Sequence, residues 1–244
     1  MNEFWNHEIN VGYYDKIVKI GINKKRGARA YWHITTLKTI KTYLLKNLIH
    51  LDYACGPGTL IGKYSNSIST GVDISKKQIE YAKKNYFEKG TFLTTNEFNF
   101  EDYEDQYDVI TLLGLIEFLN NDEINNLFVK LNKLLKNDGK IVLTTPNFSG
   151  IMKILEFLQN SIGSVDYQEQ HINKFSKLSL EDLLNKQNLF NFQIYKFLNF
   201  SFIFSIFSHN FAWKMENLVN KIFKNYFGSL FVVILTKKNN PDLK

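Results

Sequence analysis

Apolar residues along this chain recur with two spacings, one typical of helices and one typical of strands. Helical stripes predict helices over residues 36–46, 76–89 and 121–136 and from Ser179 onward, and a short helix that begins at Thr59. Short apolar runs predict a strand that ends at Asp73 and strands over residues 49–53, 91–95, 107–113 and 140–145. Strands therefore alternate with helices from about residue 36 to 190, which predicts a mostly parallel sheet covered on both faces.

The pattern after residue 190 is less regular. Phe190, Phe192 and Ile194 alternate with polar residues and predict a strand, and residues 229–236 predict a last apolar strand. The aromatic run over 198–207 is too short to cross a membrane. Two interpretations of residues 198–228 stay open: an insertion packed between the last strands, or an apolar substrate wall or membrane-surface contact. Apolar stripes at helical spacing also predict a helix over 151–158 and one marked by Phe211, Met215, Leu218 and Ile222.

A glycine-rich turn between the first two predicted strands carries the strongest functional signal. Residues 55–58 read Cys-Gly-Pro-Gly and cannot continue a strand, because two glycines and a proline force a sharp turn. Asp52 precedes this turn, and Asp73 ends the next strand 21 residues later. Glycines let a ligand approach the backbone closely, and an acid at that strand end accepts hydrogen bonds from a ribose. The arrangement predicts a nucleotide-type cofactor.

Two cofactor classes use such a turn. A dinucleotide site requires a third glycine, but Ile61 stands at that position, and a carboxylate at Asp52 opposes a pyrophosphate. Asp52 suits the amino group of an amino acid instead. A ligand with an ammonium, a sulfonium and a ribose matches both acids, which favours S-adenosylmethionine over a nicotinamide dinucleotide.

The stretches 52–58 and 71–75 resemble the cofactor signature of class I S-adenosylmethionine-dependent methyltransferases, most closely the ubiquinone-type, small-molecule O-methyltransferases. Residues 135–147 resemble a later strand of the same family. The resemblance implies a Rossmann-like, doubly wound α/β fold with a mostly parallel seven-stranded sheet, an antiparallel last strand and helices on both faces. It also implies S-adenosylmethionine as cofactor and S-adenosylhomocysteine as product.

The resemblance assigns cofactor contacts to residues of five separate stretches. Asn96 or Glu97 is the expected partner of the adenine amino group, and the sequence does not choose between them. Arg26 is the expected partner of the cofactor carboxylate, with Arg29 and Tyr14 as alternatives. The remaining expected contacts are Asp52, Ala54, Cys55, Gly56, Gly58, Asp73, Ile74 and Leu113.

Catalytic residues are less well specified, because an activated sulfonium leaving group mainly demands alignment of the acceptor. A hydroxyl acceptor benefits from a general base, and His171 and His33 are the two possibilities. His50 lies within a predicted strand and is interpreted as structural. Many relatives have Glu-His where this chain has Glu117 and Phe118, and one carboxylate is a poor metal site, so we expect no metal.

Composition and motifs indicate which partners and which cellular compartment to expect. The net charge is +6, but the lysines are scattered and only residues 24–29 are densely basic. The Asn/Asp-Pro-Pro-aromatic motif of nucleic-acid amino-methyltransferases is absent, which argues against a nucleic-acid partner. Cys55 is the only cysteine, and the chain starts with polar residues rather than a secretory signal. We expect a cytoplasmic protein, and oligomeric state is not predicted.

The predicted domain organisation is simple. Residues 1–35 form an irregular, aromatic-rich cap, and residues 36–244 form the methyltransferase domain with the insertion at 198–228. The expected acceptor is a small molecule with an oxygen nucleophile, such as a sugar, a lipid-linked precursor or a phenol. The alternatives are a catalytically inactive, cofactor-binding partner subunit and, with less support, an NAD-type enzyme.

Overall fold

A single sheet organises the computed structural model, which describes residues 8–149 and 171–238. Its strands follow the order β3-β2-β1-β4-β5-β7-β6. Strand β7 pairs antiparallel with both β5 and β6, so the other six run in one direction. The predicted fold class is therefore confirmed. The strands are β1 (Ile49–Tyr53), β2 (Ile68–Asp73), β3 (Thr91–Thr94), β4 (Tyr107–Leu113), β5 (Leu135–Pro146), β6 (Phe190–Phe197) and β7 (Leu230–Lys237).

Helices cover both faces of this sheet. Three short 3₁₀ helices lie at Phe100–Tyr103, Ile116–Phe118 and Phe200–Ile206 within the described ranges. No helix in those ranges is long and apolar enough to cross a membrane. The α-helices there are α1 (Tyr13–Lys24), α2 (Ala28–Lys41), α3 (Thr59–Lys63), α4 (Lys76–Tyr86), α5 (Asn121–Leu134), α6 (Lys177–Gln187) and α7 (His209–Phe223).

Alternating residues of the central strands build two separate cores. Ile110 of β4 and Ile141 of β5 pack with Phe128 of α5 on one face. Val109 and Val142, the neighbours of those two strand residues, belong to a cluster with residues of α1, α2 and α3 on the other face. Burial on both faces explains why these strands are continuous apolar runs.

The N-terminal segment differs from the sequence prediction of an irregular cap. Helices α1 and α2 occupy it, and α2 begins at Ala28 and ends at Lys41 rather than spanning 36–46. The predicted domain boundary at residue 35 lies inside α2. Helix α2 is buried on two sides, because Ile34 packs on the sheet and Tyr31 packs against the 198–230 region. Two buried sides leave no single apolar stripe for a sequence pattern to reveal.

Helix α1 is fixed to α4 by a buried carboxylate. Asp15 accepts hydrogen bonds from the hydroxyls of Tyr86 (2.6 Å) and Tyr81 (2.7 Å) and pairs with Lys19 (2.8 Å). Burial raises the pKa of Asp15, but the hydrogen bonds from Lys19, Tyr86 and Tyr81 outweigh it, so the pKa lies below its usual value. These contacts hold the N-terminal helix α1 against α4.

Several predicted boundaries shift for local reasons. Helix α4 begins at Lys76 as predicted but ends at Tyr86, three residues before the predicted end. Near its start, the Gln78 side-chain amide accepts from the Gly12 backbone and donates to the Asn10 carbonyl. Strand β5 begins at Leu135, directly after α5 and five residues earlier than predicted. The helix predicted over 151–158 lies outside the described residues.

Candidate active site

A cavity of about 1000 Å³ lies at the carboxyl ends of β1, β2, β4 and β5; we call it the central cavity. The turn after β1 forms one side, through residues 52–57, and residues 73–75 after β2 continue it. Residues 113–115 after β4 and 144–146 at the end of β5 form the opposite side. Ligands of open parallel sheets bind at this edge, where adjacent strand connections diverge.

The glycine-rich turn uses its two glycines differently. Gly56 and Gly58 both have left-handed backbone angles, with φ of 53° and 74°. A Cβ at Gly56 meets no atom within 4 Å, so this glycine borders open cavity space. A Cβ at Gly58 would lie 2.7 Å from Phe92 and 2.9 Å from Ala82. Gly56 therefore leaves room for a ligand, whereas Gly58 permits close packing of α3 and is not part of the cavity lining.

Asp73 connects the end of β2 to the turn after β1. Its Oδ2 accepts from the Gly56 amide at 2.7 Å, and its Oδ1 accepts from the Ser75 amide at 2.8 Å. Burial raises the pKa of this carboxyl, although the amides of Ser75, Gly56 and Ile74 oppose that effect. Asp73 lines the cavity, as a ribose-binding acid must.

Asp52 ends a buried polar chain that sequence analysis does not predict. The Thr111 hydroxyl donates to Asp52 at 2.6 Å and lies 2.9 Å from His50 Nε2, while His50 Nδ1 lies 3.0 Å from the Ser69 hydroxyl. Burial raises the pKa of Asp52 to about 7. Burial also lowers the pKa of His50 to about 3, so this histidine is neutral and structural, as predicted.

Glu117 lies on the side of the cavity opposite the glycine-rich turn. Sequence analysis considers it only as a poor metal ligand. It is buried, lines the cavity and accepts a 3.1 Å hydrogen bond from the Thr145 hydroxyl. Burial raises its pKa to about 7. The signal in the sequence is a lone acid between two apolar residues, four positions after the end of β4. Since a buried charge is costly, such an acid indicates a special role.

Both predicted histidines also line the central cavity. The His171 ring lies 5.0 Å from the Phe118 ring and 5.3 Å from the Phe148 ring, measured between centroids. The His33 ring lies 5.3 Å from that of Tyr14, and burial, aided by Arg29, lowers its pKa to about 4. His33 is therefore a weak base near neutral pH.

A family model described as a methyltransferase domain matches residues 26–194, more than half of the chain. This chain belongs to the class I S-adenosylmethionine-dependent methyltransferases. Ubiquinone biosynthesis O-methyltransferase of Vibrio atlanticus (strain LGP32) is 29% identical over 103 residues. That match covers 40% of this chain and 43% of the relative, so it spans less than half of the relative's length.

Solved methyltransferases share the fold over nearly the whole chain. Magnesium protoporphyrin IX methyltransferase of Synechocystis PCC 6803, with bound S-adenosylhomocysteine, has a TM-score of 0.59 at 14% identity. The match covers 97% of this chain and 98% of that one. The plantazolicin methyltransferase BpumL, also with S-adenosylhomocysteine, has a TM-score of 0.59 at 18% identity and coverages of 97% and 94%. Identities this low establish the fold alone.

The methyltransferase's central cavity fits the family cofactor, S-adenosylmethionine. Two buried carboxylates, Asp52 and Asp73, line it from adjacent strands, and a ligand with an ammonium and a ribose matches this pair of acids. The open space beside Gly56 is a cradle that a Cβ would fill. Ala54, Cys55, Ile74 and Leu113 also line the cavity. Burial and the Asp73 and Asp52 charges raise the pKa of the Cys55 thiol, which fits a packing role.

Four expected cofactor contacts lie outside the cavity lining: Gly58, Asn96, Glu97 and Arg26. Asn96 and Glu97 are exposed, and the Glu97 carboxylate accepts from the Thr94 amide and hydroxyl at 2.7 and 2.9 Å. Thr95 lines the cavity in their place. Arg26 is exposed and does not belong to the lining, whereas its alternatives Arg29 and Tyr14 both do.

The described residues contain no group of three or more His, Cys, Asp or Glu side chains arranged to hold a metal ion. The Glu117 carboxylate accepts its hydrogen bond from the Thr145 hydroxyl.

Proposed function

We propose that this chain transfers a methyl group from S-adenosylmethionine to a hydroxyl of a small, largely apolar acceptor. The observation that carries this proposal is the position of Glu117, a buried carboxylate that faces the same cavity as Asp52 and Asp73. The cofactor, when bound, supplies a methyl group on a positively charged sulfur. The chain then has to align the acceptor and receive its proton.

Glu117 is the proposed proton acceptor. A general base works best with a pKa near the working pH, and burial brings Glu117 to about 7. The Thr145 hydroxyl holds one carboxylate oxygen, which orients the other. His33 is a weaker base because its pKa is about 4. His171, between two phenylalanine rings, is the second candidate.

The cavity lining favours a phenol-like or lipid-linked acceptor over a free sugar. Phe100, Phe118, Leu119, Leu127 and Phe148 contribute much of the acceptor side. Such walls bind aromatic rings or alkyl chains and offer few partners for a sugar's hydroxyls. The oxygen acceptor is supported by the Vibrio atlanticus relative, which is named an O-methyltransferase.

Cofactor contacts follow from the same geometry. We propose that Asp73 binds the ribose, that Asp52 attracts the ammonium, and that Arg29 or Tyr14 meets the carboxylate in preference to Arg26. Asn96 or Glu97 remains the adenine contact that the family resemblance predicts, with Thr95 as the alternative that lines the cavity. We also propose a cytoplasmic location and no nucleic-acid partner, because Cys55 is a free thiol and the basic residues are dispersed.

The test is labelled methyl transfer from S-adenosylmethionine to a panel of phenols and to lipid extracts. Glu117→Gln should reduce the rate about 10²- to 10⁴-fold, the contribution typical of a general base, while S-adenosylhomocysteine affinity stays unchanged. Glu181→Gln, on the surface of α6, is the matched control, and His171→Ala tests the second base. A fully active Glu117→Gln enzyme would overturn the assignment of the base.

Two further outcomes separate the alternatives. S-adenosylhomocysteine binding without turnover on any acceptor would favour an inactive, cofactor-binding subunit. Binding of NAD but not of S-adenosylhomocysteine would favour a nicotinamide enzyme and contradict the proposed function.

A further inference from the structure

The apolar stripe of α7 faces outward. Phe211, Leu218 and Ile222 are 48%, 52% and 62% exposed, although their spacing is that of a buried helix face. The residues of α7 that are buried are Ala212, Glu216 and Val219. A soluble helix normally turns its apolar stripe inward, so this orientation indicates that the stripe has another partner.

A buried hydrogen bond fixes the helix in this orientation. The Tyr31 hydroxyl donates to the Glu216 carboxylate at 2.8 Å, and the Asn199 amide donates to the Glu216 carbonyl at 3.2 Å. The His209 amide donates to the Lys25 carbonyl at 2.8 Å, which fixes the start of α7 on the turn between α1 and α2. Rotation of the stripe toward the protein would break these contacts.

The exposed stripe continues into the segments before and after α7. Phe204 and Phe211 make a ring contact at 5.4 Å, which joins the 3₁₀ helix to α7, and Phe223 and Phe227 make one at 5.2 Å beyond its end. Phe207 is 79% exposed. We define the apolar patch as Ile206, Phe207, Phe211, Leu218, Ile222 and Tyr226, all of which are exposed.

Positive charge borders the apolar patch. Between residues 206 and 227, which span the patch, the only acid is Glu216, which is buried, whereas this stretch carries Lys214, Lys221 and Lys224. Lys214 and Lys221 each lie three residues after a stripe residue, and therefore beside the stripe on the helix surface. The exposed residues 24–26, Lys-Lys-Arg, adjoin the start of α7. An apolar face edged by lysines and bearing aromatic residues is typical of interfacial helices on anionic lipids.

The central cavity reaches the surface at this patch. Ile206 belongs both to the patch and to the cavity lining, and Ile203, in the same 3₁₀ helix, lines the cavity while 44% exposed. Phe202 continues the apolar lining inward. A continuous apolar surface therefore leads from the patch into the cavity.

A second copy of this chain fits the patch less well than a lipid surface does. A symmetric dimer places identical surfaces against each other, so the lysines that border one patch would approach those of the other. No exposed acid between residues 196 and 238 compensates that charge. Anionic lipid headgroups supply the complementary negative charge. Exposed tyrosine and tryptophan side chains are typical of proteins at the depth of the headgroups.

We propose that the apolar patch docks on an anionic lipid bilayer and presents the mouth of the central cavity to it. Docking itself is independent of catalysis. Its consequence, that the acceptor enters from the lipid phase, rests on the proposed function. Binding buries the stripe among the headgroups and acyl chains, while the lysines contact phosphates.

The test is flotation of the full chain with vesicles of phosphatidylcholine alone and of phosphatidylcholine mixed with phosphatidylglycerol. Wild-type protein should float with the mixed vesicles, less so at high salt, and little with phosphatidylcholine alone. Phe211→Ser combined with Leu218→Ser, and separately Lys214→Glu combined with Lys221→Glu, should each reduce binding about tenfold or more. Phe87→Ser with Leu178→Ser, and Lys84→Glu with Lys89→Glu, are controls exposed elsewhere and should bind normally.

Two results would overturn docking: no flotation with either vesicle, or a dimer in sedimentation equilibrium that the Phe211 and Leu218 substitutions dissociate. None of the four residues changed in the patch variants lines the cavity. S-adenosylhomocysteine affinity and methyl transfer to a water-soluble phenol therefore test the proposed function separately from docking. If the protein floats with the vesicles but transfers no methyl group, only the proposed function is contradicted; if it transfers the methyl group but does not float, only docking is contradicted.

Discussion

The backbone amide of Gly56 donates a 2.7 Å hydrogen bond to the Asp73 carboxylate, across the junction between β1 and β2. The two residues meet because the parallel register pairs Asp52 with Gly71 and Tyr53 with Val72, which brings the ends of both strands together. Asp73 thus shapes the turn and also faces the cavity. A carboxylate oxygen can accept two hydrogen bonds, so the Asp73 carboxylate has capacity left for a ribose.

Removing the Asp73 carboxylate should weaken cofactor binding. Asp73→Ala should reduce S-adenosylhomocysteine affinity by about 1–3 kcal/mol, the contribution typical of hydrogen bonds to a charged group. Isothermal titration calorimetry measures this change. Asp138→Ala, an exposed acid on β5, is the matched control. Equal affinity in wild type and Asp73→Ala would contradict the ribose assignment.

The two glycines of the turn should respond differently to alanine. Gly56→Ala should cost only about 1–2 kcal/mol of stability, for its left-handed backbone, but should strongly weaken cofactor binding because the methyl group enters the cradle. Gly58→Ala should cost more stability, about 2–4 kcal/mol, because its Cβ also overlaps Phe92 and Ala82. Urea unfolding and calorimetry of both variants separate the effects. A larger loss of stability in Gly56→Ala than in Gly58→Ala would disprove the packing role of Gly58.

Cofactor binding should release a proton from Asp52. The free carboxyl has a pKa of about 7, and a nearby ammonium would lower that pKa. S-adenosylhomocysteine should therefore bind more tightly at pH 8 than at pH 6, by up to about tenfold. Calorimetry in buffers with different ionisation enthalpies counts the protons.

Two variants test that linkage. Asp52→Asn should abolish the proton release. Thr111→Val removes a hydrogen bond that lowers the pKa of Asp52, so it should move the pH dependence of binding upward. If proton release persists in Asp52→Asn, a group other than Asp52 couples cofactor binding to proton release.

Glu117 should make the cofactor-free protein less stable as pH rises. Its pKa is about 7 in the folded state against a usual 4.5, so between these values the folded state binds more protons than the unfolded state. The free energy of unfolding therefore falls as pH rises through this range. Glu117→Gln should stabilise the protein by about 1–3 kcal/mol at pH 8 and little at pH 5. Urea unfolding at both pH values measures the effect, with Glu181→Gln as control; a pH-independent difference would contradict burial of the charge.

The sequence by itself determined the fold class, the cofactor family and two of the acids that line the cavity. These features depend on local constraints: the period of apolar residues fixes each strand or helix, and the glycines and proline of residues 55–58 fix the turn. The distance along the chain from Asp52 to Asp73 then places both acids at one sheet edge. Family membership and the sheet order confirm that reasoning.

Tertiary structure alone decided which side chains share an environment. The Thr111–Asp52 and Thr145–Glu117 contacts join residues 59 and 28 positions apart, and the burial that raises both pKa values arises only when the strands assemble. The outward orientation of α7 likewise depends on the bond between Tyr31 and Glu216, 185 residues apart. A sequence period shows that an apolar stripe exists, but contacts with the rest of the fold determine which way it faces.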